Sequence, residues 1–215
     1  NLSNPGLFWC SGGGTIILNN RYILGVRRHR DALVNPFKIS LFTGRSDNEL
    51  ELINPELLAR ELFEELILKH DSETILPKNK YYQGVIDRVF DFHKKAGLVS
   101  GSSFKEIEFK YIKTSNKKIK IGPEVYSLDF FINSNNDINV LFLFSVESDF
   151  KNLKYKDGEA YLESGKIINS RRDIVLVDLK TMEYEHKNGT YKITDQNTTE
   201  HFFYFVNKIS NQLGF

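Results

Sequence analysis

The chain has one cysteine, one methionine, one tryptophan and five prolines in 215 residues. A lone cysteine, Cys10, excludes an internal disulfide framework and fits a reducing, cytoplasmic compartment. No apolar stretch reaches the roughly 18 residues a membrane helix needs, and the longest, Val140 to Val146, suits a buried strand. A charged-then-apolar leader is missing from the start. The chain opens on Asn1 rather than Met, as a processed product or a domain cut from a longer protein would. Net charge is only +1, so no global basic field argues for nucleic acid. The five histidines lack paired ligand spacing and Cys10 has no histidine nearby in sequence, which gives zinc and thiol chemistry little support. Ser11-Gly12-Gly13-Gly14 lacks the Gly-Lys-Ser/Thr ending of a phosphate loop.

What is present is a soluble-protein composition, 40% hydrophobic and 27% charged, in a chain long enough for one large core. Ser11–Gly14 reads as a flexible entry to a hairpin, Thr15–Leu18 and Tyr22–Val26, turned at Asn19-Asn20. Arg27, Arg28 and Arg30 cluster at its end. Phe37 to Phe42 leads to a Thr43-Gly44 turn and a polar loop. Asn54 as N-cap, Pro55 and Glu56 start a helix predicted to run to about Lys69, followed by a loop at 71–77. A second helix is predicted over about 80–96, stopping at Gly97. Strands are predicted at 104–112, 118–121, 126–132, 140–146 and 174–179, and a last helix at about 199–213.

The first helix concentrates the chemistry. At roughly 100° per residue, Glu64 sits about 60° behind Glu61 and Glu65 about 40° ahead of it. Ala59, Leu62, Phe63, Leu66 and Ile67 fall on the opposite side, toward a core. Glu61 and Glu65 repel at i,i+4 spacing, a small cost that a helix gathering Mg²⁺ with oxygen ligands would carry. A solvated acidic face, with Glu56–Arg60 and Glu65–Lys69 salt bridges, is the other reading.

Hairpin, strand, glycine turn, acidic loop and an Arg-Glu-Leu-Phe-Glu-Glu helix, in that order, resemble the Nudix hydrolase family. Its signature places a glycine and a loop glutamate ahead of Arg-Glu-apolar-any-Glu-Glu-any-Gly-apolar. Gly44 matches the opening glycine, and Arg60, Glu61, Leu62, Glu64, Glu65 and Leu68 match the helix portion. Leu50 stands at the loop-glutamate position between Glu49 and Glu51, the loop runs longer than the family spacing, and Ile67 replaces the late glycine. The resemblance implies an α+β fold: one domain over 1–215, a Nudix-like α/β/α sandwich with a mixed central sheet and a helical insertion at about 78–98.

It also implies a function. The expected activity is Mg²⁺-dependent (or Mn²⁺-dependent) cleavage of a pyrophosphate bond in a nucleoside diphosphate linked to another group. Glu61, Glu64, Glu65 and the Gly44 carbonyl would be the metal ligands. Arg60 would be structural, pairing with a loop acid such as Glu51. A further catalytic glutamate would come from Glu159 or Glu163, with Glu147 and Asp149 behind them. Arg27 and Arg28 would meet substrate phosphates. The expected partner is a nucleotide-type small molecule, with no membrane and with a homodimer left open. A catalytically weak or inactive module binding a nucleotide or a protein is the alternative. The third reading is a nucleic-acid surface, with Lys105, Lys110, Lys113, Lys117, Lys118 and Lys120 interleaved with Phe104, Phe109 and Tyr111. A half-exposed strand gives the same alternation.

Overall fold

The computed structural model describes residues 10–32, 35–45, 55–71, 73–100, 103–116, 118–121, 124–127, 129–135, 138–146, 153–158, 160–163, 166–169, 172–187 and 189–215. The first strands are β1 (Cys10–Leu18), β2 (Tyr22–Arg27), β3 (Ile39–Ser40) and β4 (Phe42–Arg45). Asn19 and Asn20 both take φ 51° between β1 and β2, a left-handed conformation that asparagine tolerates, so the predicted hairpin forms where predicted. Ser11–Gly14, however, is no flexible entry. It is the first half of β1, parallel to β11 (Ile138–Val146) on one side and antiparallel to β4 on the other, with Gly12 opposite both Val140 and Gly44. Ladder hydrogen bonds on both sides and small side chains under neighbouring rings override the local glycine signal.

Helix α1 spans Pro55–Glu65, not 55–69, and passes directly into β5 (Leu66–His70). Leu66, Ile67 and Leu68 are all buried in succession, which a one-sided helix does not require and a strand covered on both faces does. Its ladder partner, β12 (Leu153–Asp157), lies far along the sequence, so local periodicity could not report it. The predicted loop at 71–77 is likewise mostly β6 (Glu73–Lys78). Helix α2 (Gln83–Lys95) ends as predicted, with Gly97 at φ 68°.

β7 (Phe104–Ile112) matches its predicted range, as does β8 (Lys118–Ile121). The segment predicted at 126–132 splits into β9 (Glu124–Ser127) and β10 (Asp129–Ile132). Two strands with no sequence prediction, β13 (Ala160–Glu163) and β14 (Lys166–Asn169), pair with each other. Beyond them lie β15 (Asp173–Asp178), β16 (Glu183–His186), β17 (Gly189–Lys192) and α3 (Glu200–Leu213). The main sheet is mixed, in the order β12-β5-β6-β7-β11-β1-β2-β15-β16-β17, with β3, β4 and β10 attached to β2, β1 and β11.

Strand alternation distributes two cores. Ile16, Leu18, Phe142 and Phe144 join Leu62, Phe63, Val85 and Ile86 from α1 and α2. Ile17, Leu141, Leu143 and Val177 join Phe202, Phe205 and Ile209 from α3. The α+β class with a mixed sheet thus holds. Among the described residues, no helix is long and apolar enough to cross a membrane. In β7 Phe109 is buried and Phe104, half-buried, packs edge-on to Phe90, so these two rings are taken up by contacts within the fold.

Candidate functional site

Ala59, Leu62 and Phe63 pull one side of α1 into the core, which leaves Glu61 and Glu64 at the protein surface, partly exposed. Gly44 enters from β4, whose register on β1 carries it to the side of that helix. A Cβ on Gly44 would lie 2.1 Å from Glu61 Cδ and 2.2 Å from its Oε2. The Glu61 carboxylate therefore occupies the space that any other residue at 44 would fill. A side chain at 44 would displace that carboxylate, so glycine is what lets it lie against the β4 backbone.

The three carboxylates have distinct surroundings. Glu61 Oε1 accepts from Arg60 Nη2 at 3.0 Å, and Arg60 Nε lies 3.5 Å from Glu64 Oε1. Arg60 thus curls back over its own helix; Glu51, its expected partner, lies outside the described residues, as does Asn54. The Glu64 carboxyl is pushed above its ordinary range, first by burial and then by the charge of Glu61, with Arg60 opposing. Glu65 is buried, and its Oε1 accepts from Arg172 Nη1 at 2.9 Å. The predicted Glu65–Lys69 helical pair does not exist, because Lys69 is on β5.

Among the described residues, no group of three or more His, Cys, Asp or Glu side chains is arranged around one ion position. Glu61, Glu64 and Glu65 are neighbours on one helix turn, but Glu65 turns to Arg172. The donor chemistry nonetheless fits a hard divalent cation: Glu61 on the backbone of Gly44, with Glu64 one turn on, offers the oxygen donors that Mg²⁺ prefers.

The other predicted residues are placed as follows. Arg27 pairs in register with Asp173, next to Arg172, so its strand end reaches the same side of the molecule as Glu65. Its guanidinium lies over the Phe37 ring at 5.4 Å. The charge of Arg28 is felt by His201, whose imidazole it helps to lower. Glu147, Asp149 and Glu159 lie outside the described residues; Glu163 is the last residue of β13. Gly158, immediately ahead of Glu159, donates its N–H to the Glu65 carbonyl at 2.9 Å, which brings that connector to the end of α1. A groove of about 780 Å³ opens elsewhere, beside α3, lined by Phe131, Phe203, Tyr204, Asn207 and Lys208 among others.

Three residues at the site carried no sequence prediction: Arg172, Gly158 and His93. The Arg171-Arg172 doublet heading a predicted strand was the only local signal for the first. His93 was masked by its place on an amphipathic helix, where burial alone explains a histidine.

No family model and no curated protein matches the chain. Among solved structures it is similar to a hydrolase of the NUDIX family from Clostridium perfringens, at 14% identity over 95% of this chain and 97% of that one, with a TM-score of 0.38.

Proposed function

We propose that the chain is a Mg²⁺-dependent hydrolase that cleaves a pyrophosphate bond in a nucleoside diphosphate joined to another group. On this reading residues 1–215 form a single Nudix-like α/β/α sandwich, with α2 as its helical insertion. The observation that carries it is the seating of the Glu61 carboxylate on Gly44. Those two residues come from separate parts of the sequence pattern, and the fold brings them into contact. Glu61, Glu64 and the Gly44 carbonyl would hold the ion, with Mn²⁺ as a substitute. A bound divalent ion neutralises phosphate charge and makes water a better nucleophile.

The chain's own residues do the remaining work. Glu64, one helical turn from Glu61, would present its carboxylate to the ion beside it. Arg172 holds Glu65 in place at the base of the trio. Arg27, on the neighbouring strand end, would offer a planar cation to a substrate phosphate. A nucleotide-type small molecule is the expected partner, and the lone cysteine suits a reducing cytoplasm.

One observation favours the alternative of a weak or inactive nucleotide- or protein-binding module: Arg60 and Arg172 already neutralise the carboxylates that an ion would claim. A panel of pyrophosphate-linked nucleotides, incubated with and without Mg²⁺, separates the two. The hydrolase reading expects metal-dependent cleavage of at least one. Binding of a nucleotide without cleavage under any metal supports the module.

A further inference from the structure

The passage from α1 to β5 leaves an unusual end on the helix that carries the carboxylates. Had the helix continued, the Glu64 and Glu65 carbonyls would have met amides four residues on, but those amides belong to a strand. Both carbonyls are met from other parts of the fold. Glu65 O accepts from the Gly158 N–H at 2.9 Å, and Glu64 O lies 2.9 Å from His93 Nε2. A carbonyl oxygen can only accept, so Nε2 must carry the proton and donate. His93 is 4% exposed and sits on the buried side of α2. Gly158 closes the arrangement: a Cβ there would lie 2.9 Å from Glu64 O and 3.1 Å from His93 Nε2. One imidazole thus joins three segments at the residue whose side chain is a proposed ligand.

We propose that His93 is a positioning residue for the carboxylate site, its Nε2–H fixing the Glu64 carbonyl and thereby the direction in which the Glu64 and Glu65 side chains leave the helix end. The inference rests on the metal-hydrolase reading and deepens it. Without the donor, the Glu64 carbonyl must find another partner by turning toward water or unwinding the last turn of α1, and either movement displaces the carboxylate on the same residue. Hydrogen-bond partners that orient a ligand from behind typically change metal affinity by about 10- to 100-fold.

The test uses the full chain and Mn²⁺ alone, with free ion followed by electron paramagnetic resonance. His93→Leu removes the donor at similar volume; His93→Gln returns an amide N–H near the Nε2 position. Far- and near-ultraviolet circular dichroism verifies that each variant is folded. His93→Leu should weaken Mn²⁺ binding by about tenfold or more, and His93→Gln should recover most of it. A purely structural histidine would give equal losses in both variants, and wild-type affinity in His93→Leu would also overturn the proposal. Should His93→Leu fail to fold, a two-bond ¹H–¹⁵N spectrum of the wild type decides: the proposal requires a slowly exchanging proton on His93 Nε2 and fails without it. Glu64→Gln provides the separate control. Equal Mn²⁺ binding by wild type and Glu64→Gln would overturn the metal reading and this inference with it, whereas loss in Glu64→Gln alone overturns only the role of His93.

Discussion

Acid should loosen α3 from the sheet through His201. Its Nε2 lies 3.1 Å from Ser40 Oγ and 3.2 Å from Thr199 Oγ1, two hydroxyls that are themselves buried. Burial, and secondarily the charge of Arg28, lower the imidazole from its ordinary 6.5 to about 4, with Glu200 opposing. Above pH 6.5 the ring is neutral in folded and unfolded chains, and it contributes no pH dependence. Between 6.5 and about 4 the unfolded chain takes a proton that the folded chain refuses, so stability falls as pH falls. At about 1.4 kcal/mol per pKa unit the full loss is about 3 kcal/mol, and the solvent-exposed edge of the ring reduces this toward about 2. Urea unfolding of wild type and His201→Gln at about pH 7 and about pH 4.5 measures it. The wild type should lose about 2 kcal/mol more than the variant over that interval. The pH response of His93 and of the carboxylates is common to both proteins and cancels. Equal losses would refute the argument that His201 is held neutral by its surroundings.

Three further perturbations follow from the geometry. Gly44→Ala places a methyl group where Glu61 Cδ lies, 2.1 Å away; the flexible carboxylate will swing aside, so thermal stability should change little while Mn²⁺ affinity falls by about tenfold or more. Arg172→Met leaves the Glu65 carboxylate buried without its guanidinium and should cost about 3–5 kcal/mol in denaturant unfolding, with partial recovery when Glu65→Gln is added. Phe144 is fully buried, with the rings of Phe63, Tyr82, Tyr111 and Phe142 around it at centroid distances of 5.4 to 6.1 Å. Phe144→Ala should therefore cost about 3–5 kcal/mol, and a loss under about 1 would show that this cluster does not hold the core.

The parts of the fold that could be read from sequence are those whose signals are local. The β1–β2 hairpin declares itself by two asparagines suited to positive φ, α2 by its periodicity and terminal Gly97, and α3 by the spacing of Phe202, Phe205, Val206 and Ile209. The misreadings share one cause. Leu66–His70 continues the apolar pattern of α1, and only its pairing with Leu153–Asp157 makes it a strand. Ser11–Gly14 looks like a linker until β4 and β11 supply ladders on both sides. The site divides in the same way. Glu61, Glu64 and Gly44 were legible because they lie in one short pattern. Arg172, Gly158 and His93 were not, because each reaches the end of α1 from a distant segment through long-range bonds.

The central claim is that the Glu61–Glu64 turn, seated on Gly44, holds a divalent ion that drives cleavage of a pyrophosphate bond. Its most direct test is product release from a cleaved nucleoside-diphosphate derivative, compared between wild type and Glu64→Gln across a Mg²⁺ titration. The account predicts saturable Mg²⁺ dependence in the wild type and a rate lower by at least about 100-fold in a folded Glu64→Gln. Equal rates in the two proteins, or cleavage that persists in the presence of a chelator, would contradict it.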